Sequence, residues 1–125
     1  MNLVDSCGWL EYFANGANAD FFAPSIEDTA RLLVPSLCLF EVFKRILQQR
    51  NEGDALRAIG LMRQGRCIDL TDSLAITAAR ISSDLKLALA DSIILTTARQ
   101  HGATLWTQDA HFEGMAEVRY VRKGS

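Results

Sequence analysis

The sequence predicts an α/β fold of three layers, a mostly parallel central sheet with helices on both faces, and three observations lead there. Short apolar runs alternate with longer segments of helical periodicity from end to end, the signature of parallel strands joined by helical crossovers. Within that alternation Ala88 to Gly102 forms a strongly apolar helical run that Gly102 closes, and Ala103 to Trp106 follows at once as a buried strand. Finally, 125 residues without an internal repeat, low-complexity run or linker suit one domain spanning residues 1–125, long enough for a real core.

Each element has its own local reason. Asn2-Leu3-Val4 reads as a first strand, with Asp5 or Ser6 placed to cap the helix behind it. In that helix Trp9, Tyr12 and Phe13 fall at i, i+3 and i+4 on one face, and Asn15-Gly16 stops it. Asn18 to Ile26 makes a second short helix, and Arg31-Leu32-Leu33-Val34 a strand. A third helix runs from Pro35-Ser36 to about Arg50, with Ser36 as its cap and Leu37, Phe40, Phe43, Ile46 and Leu47 at helical spacing. A fourth, Gly53 to Gln64, leads into the strand Arg66 to Leu70, and Thr71-Asp72 opens a fifth helix that extends through Ser83. Val118-Arg119-Tyr120-Val121 closes the chain as a terminal strand with a polar tail.

Composition narrows the classes. A net charge of −2 argues against a strongly basic nucleic-acid-binding surface, yet leaves open a nucleic-acid enzyme whose acidic site takes up divalent cations. No apolar run is long enough to span a membrane, and no basic segment leads into an apolar one at the amino terminus, so a cytoplasmic protein is expected. Cys7, Cys38 and Cys67 are odd in number and form no C-x-x-C pair, which points to buried free thiols rather than disulfides or zinc. Cys7 and Cys38 fall near the acids discussed next, where oxidation would be felt.

In a parallel α/β sheet the amino ends of helices and the carboxyl ends of strands share one edge, where such folds place their sites. Asp5 follows the first strand, Glu41 lies in the second turn of the helix after the second strand, Asp91 opens the long apolar helix, and Asp109 follows the next strand. Taken singly, each acid is more simply a cap or a solvated side chain. Asp91 and Glu41 are the sharpest, because both interrupt apolar runs, Leu85 to Leu95 and Leu37 to Phe43, where an unpaired charge is expensive. Two carboxylates about 5 Å apart repel by roughly 3 kcal/mol at an effective dielectric of about 20, so a four-acid cluster calls for a cation. Oxygen-only donors select a hard one, Mg²⁺ or Mn²⁺. One or two such ions acidify water for in-line attack on phosphorus and stabilise the leaving oxygen, which is phosphodiester hydrolysis.

Those same segments resemble a known family. Val4-Asp5-Ser6, Val34-Pro35-Ser36 with Glu41-Val42, Leu89-Ala90-Asp91-Ser92-Ile93 and Leu105-Trp106-Thr107-Gln108-Asp109-Ala110-His111-Phe112 are similar, in order, to the motifs of PIN-domain ribonucleases, and within them to VapC-type toxins. The resemblance implies a PIN-like fold and a Mg²⁺- or Mn²⁺-dependent endoribonuclease that cuts tRNA or rRNA and inhibits translation. It places Asp5, Glu41, Asp91 and Asp109 on the family's catalytic, metal-binding quartet, and Ser6 and Thr107 on the hydroxyl positions that support it. Ser92 departs from the Ala common after the third acid. A homodimer is also implied, as is a cognate antitoxin whose carboxyl-terminal segment lies across the toxin and blocks its site.

Lys44 and Arg45, three and four residues after Glu41, can reach the same helix face and meet an RNA phosphate, although solvated side chains are the simpler expectation. His111 is set aside as a packing or hydrogen-bonded residue, and Trp9, Tyr12, Phe13, Phe21, Phe22, Phe43 and Leu47 are most simply core, or in part a groove for a partner helix. Two other functional readings stay open. The first is a catalytically silent module whose acids dock a basic partner; the second, a phosphoacceptor, lacks the Asp-x-Asp or paired acids such proteins use.

Overall fold

A computed structural model describes residues 1–124 and contains five strands and six α-helices. In chain order these are β1 (Asn2–Val4), α1 (Ser6–Phe13), α2 (Ala19–Glu27), β2 (Leu32–Pro35), α3 (Ser36–Gln49), α4 (Glu52–Met62), β3 (Arg66–Ile68), α5 (Asp72–Leu85), α6 (Leu89–Gln100), β4 (Thr104–Thr107) and β5 (Val118–Tyr120). The sheet order is β3-β2-β1-β4-β5 and every pairing is parallel. Right-handed crossovers then place α1 to α4 on one face and α5 and α6 on the other, the three-layer arrangement that the sequence predicts. The chain moves outward from β1 through β2 to β3, then returns to the far side of β1 as β4. The reversal makes a topological switch point between β1 and β4, and a crevice opens there beyond the strands' carboxyl ends.

Burial follows the strands. Leu3, Val4, Leu32, Leu33, Val34 and Leu105 are all sealed from solvent, as a sheet covered on both faces requires. Gly8 of α1 is needed for packing, since a Cβ there would stand 2.6 Å from the Phe22 ring and 2.8 Å from Val4. Buried polar side chains in α6 are satisfied locally: Ser92, Thr96 and Thr97 each donate to a carbonyl three or four residues back.

Several local expectations need correction. Ser36 does not cap α3; it is the helix's first residue, Pro35 holds the cap position, and no side chain bonds there. Of the apolar residues named for this helix Ile46 is buried, but its companions in the core are Cys38 and Val42, while Phe40 is 62% exposed and Leu47 45% exposed. Arg31 belongs to a 3₁₀ turn before β2 rather than to the strand. Of the three free cysteines only Cys38 is buried, and Cys67 is exposed on the edge strand β3. The apolar stretch Leu85 to Leu95 is not continuous either, because Lys86 adopts a left-handed conformation (φ +55°) that ends α5 before α6 begins.

Candidate active site

The carboxyl edge at the switch point carries all four acids named from the sequence, each delivered by a different element; Asp91 and Asp109 come together with His111 in one compact group, which Asp5 and Glu41 do not join. Asp5 follows β1 and is locked to β4, its N–H donating to the Trp106 carbonyl at 2.9 Å. It also serves as the N-cap of α1, where its Oδ1 accepts from the Ser6 N–H at 2.8 Å. Glu41 projects from α3, Asp91 from the first turn of α6, and Asp109 from the segment after β4.

One continuous path of hydrogen bonds joins them. Ser6 Oγ donates to Glu41 Oε1 at 2.7 Å, while the Ser6 N–H holds Asp5. Thr107 Oγ1 donates to the other Asp5 oxygen at 2.7 Å and accepts the Asp109 N–H at 2.9 Å. Asp109 Oδ1 in turn accepts the His111 N–H at 2.9 Å, capping the 3₁₀ turn Ala110–Phe112. His111 Nδ1 stands 3.2 Å from Asp91 Oδ2 and 3.1 Å from Asp109 Oδ1, which closes the path. His111 is thus a hydrogen-bonded residue, one of the two roles the sequence suggests for it, and its partners are the acids themselves.

The electrostatics are those of crowded anions. Burial pushes the Asp5 carboxyl up to about 6, against hydrogen bonds from Thr107, Cys7 and Ser6 that favour its charged form, and the Asp91 charge adds to the rise. Asp91 is raised as well, by burial first and then by Asp109; His111 opposes part of that rise, and Glu41 adds the smallest push. Among the described residues no Lys or Arg pairs with any of the four acids; His111 is the one basic partner. Exposure grades outward, with the Asp91 side chain at 15%, Asp109 at 28% and His111 at 71%. One ligand atom from each of these three residues lies within 4.8 Å of the other two, a spacing that suits a shared ion.

Two further side chains brace this edge: Asn18, which carries no signal in the sequence, and Cys7, which the sequence places near the acids. Asn18 Nδ2 donates to Gln108 Oε1 at 2.9 Å and to the Arg122 carbonyl at 3.0 Å, which ties the loop before α2 to the chain on both sides of β5. Cys7 lies 3.4 Å from Asp5 Oδ2 and 3.5 Å from Thr107 Oγ1. Burial and the Asp5 charge push its thiol up to about 12, so burial disfavours the thiolate.

An all-parallel sheet with an acid cluster at its switch point defines the class, and the profile of the PIN domain matches residues 3–118. The chain belongs to the PIN domain family. Solved structures agree in fold. A toxin-antitoxin complex from Klebsiella pneumoniae is 21% identical, covers 95% of this chain and 96% of that one, and gives a TM-score of 0.81. VapC20 of Mycobacterium tuberculosis, described as a Sarcin-Ricin loop cleaving toxin, is 16% identical over 95% of this chain and 99% of that one, at a TM-score of 0.77. A DNA-bound VapBC from Salmonella typhimurium is 17% identical over 98% of each chain, at 0.74. No curated protein matches the chain significantly.

Proposed function

We propose that the chain is a divalent-metal-dependent endoribonuclease and the toxin of a type II toxin-antitoxin pair. The observation that carries this reading is the hydrogen-bonded path through Asp5, Glu41, Asp91 and Asp109, four acids without a Lys or Arg partner among the described residues, at the switch point of a PIN fold. Membership of the family and the likeness to solved toxin-antitoxin complexes support the toxin assignment.

The donor set fits Mg²⁺ or Mn²⁺, because it is dominated by carboxylate oxygens and its one nitrogen, from His111, sits at the exposed rim. Asp5, Glu41, Asp91 and Asp109 would hold the ion, which when bound supplies Lewis-acid activation of water and of the phosphoryl group. The protein's own contribution is positioning. Thr107 and Ser6 fix the orientations of Asp5 and Glu41, and burial of Asp5 keeps the inner wall of the site dry. His111 Nδ1 stands between Asp91 and Asp109 at the exposed rim, where it helps to hold both carboxylates in place.

The substrate in this reading is a cellular RNA, tRNA or rRNA, whose cleavage inhibits translation in the cytoplasm. The partner is an antitoxin, with the toxin itself a homodimer. The decisive experiment incubates purified protein with total cellular RNA in Mg²⁺ or Mn²⁺. Discrete cleavage is expected, with loss on chelation and a fall on the order of 10²- to 10³-fold in Asp91→Asn at unchanged circular dichroism. Folded native protein that leaves all RNA intact in either metal would overturn the nuclease reading in favour of acids that dock a basic partner.

A further inference from the structure

Beside the acid cluster, on its β5 side, lies a cavity of about 470 Å³ whose lining carries both signs of charge. Cys7, Gln108 and Asp109 line it from the segments that carry the acids, and Tyr120, Arg122 and Lys123 line it from β5 and the residues that follow. Neither Arg122 nor Lys123 has an ion-pair partner among the described residues, so both charges are free for a ligand in the cavity they line.

The cationic part of the lining is held in place by the fold. The Val121 N–H donates to the Thr107 carbonyl at 3.1 Å, which carries the β4–β5 ladder one residue past β5. Asn18 then pins the Arg122 carbonyl while also holding Gln108, so Arg122 and Lys123 leave the sheet from a tethered backbone. Register pairs Tyr120 with Thr107. Partners in a parallel pair project from the same face, so the phenol ring stands on the side from which Thr107 reaches Asp5.

We propose that this cavity seats the RNA nucleotide adjoining the scissile phosphate, with Arg122 and Lys123 on its phosphate and Tyr120 against its base. The assignment rests on the ribonuclease reading and adds to it a direction, for the strand leaves the acids toward β5. A chain with a net charge of −2 must recruit a polyanion through local cations, and two unpaired ones within a cavity of the acids supply that attraction. An aromatic face beside them stacks any base, so the contact favours single-stranded RNA without selecting its sequence.

The test measures binding and cleavage separately, on a labelled single-stranded oligoribonucleotide. Binding is followed by fluorescence anisotropy without divalent metal, for native protein, Arg122→Ala/Lys123→Ala, the charge-preserving Arg122→Lys/Lys123→Arg, and Tyr120→Ala. The double alanine variant is expected to weaken binding about tenfold and to flatten the dependence of log K on log salt by roughly 1.4, the slope of two contacts on a single strand. The charge-preserving pair should keep most of both. Tyr120→Ala should weaken binding roughly fivefold or more with no change in salt slope. In cleavage assays with Mn²⁺ the double variant should raise KM with little change in kcat. Native protein that cuts RNA alongside a double alanine variant of equal KM, affinity and salt slope would overturn the cavity assignment and leave the nuclease reading standing. Native protein that neither binds nor cuts RNA would remove both.

Discussion

The middle of the sheet and its carboxyl edge are built from adjacent residues of the same strands, yet they are held by opposite means. In the middle, Leu3, Leu33 and Leu105 sit on neighbouring parallel strands with no solvent exposure, and stability comes from removing apolar surface from water. A residue or two further along, Asp5 and Thr107 are equally buried, but burial there raises the carboxyl to about 6 and works against the charged form. The edge is kept in shape by hydrogen bonds while its charges repel one another. On the proposed function, the difference marks where the molecule gives up stability for a site, and substitutions on either side should behave in different ways.

The largest stability effect belongs to the interior. Leu105→Ala opens a cavity between β1 and β5 and should cost about 2–5 kcal/mol, read from urea unfolding, with the same loss at pH 5 and pH 8 because no titrating group is involved. Asp5→Asn should do the reverse at the edge. Asp5 has its native-state pKa raised from 3.8 to about 6, so between those values the folded protein keeps a proton that the unfolded chain has released. Stability therefore declines as pH rises through that window, by up to about 3 kcal/mol. The Asn variant lacks this decline. In metal-free buffer it should exceed native stability by about 1–2 kcal/mol at pH 8, after one lost acceptor for Ser6 or Thr107 is set against the relief, and show no advantage at pH 4. An equal offset at both pH values would mean that Asp5 is not strained by its charge. Smallest of all, Ser6→Ala should change stability by less than about 1 kcal/mol, since Glu41 stays half-exposed. Its effect should instead appear in cleavage, as a lower kcat from a Glu41 no longer oriented.

The same contrast explains what could be read from the sequence. Strands β1, β2 and β4 were legible because a covered parallel strand must be apolar along its length, and Asp91 because a charge in the first turn of such a helix needs a reason. One helix and two single residues show where that reading stops. The apolar residues of α3 make two helical stripes, one through Phe40, Phe43 and Leu47 and one through Cys38, Val42 and Ile46, and only the packing of α3 against the sheet and α4 selects the second. Lys86 breaks the chain between α5 and α6 in a left-handed conformation without the Gly that usually marks one. His111 depends on a 3₁₀ turn whose direction is set by the Asp109 cap and by burial of Phe112, so its reach back to Asp91 is a tertiary fact. The role of each acid in holding an ion remains the proposal that chemistry must test.

The most direct measurement is a titration of Mn²⁺ followed by the electron paramagnetic resonance signal of the free ion, at pH 7.5, for native protein and Asp91→Asn. Saturable uptake of one or two ions per chain by the native protein, weakened tenfold or more in the variant, is the predicted result. Uptake that is absent in the native protein, or unchanged by Asp91→Asn, would contradict the claim that these four carboxylates are brought together to share a metal.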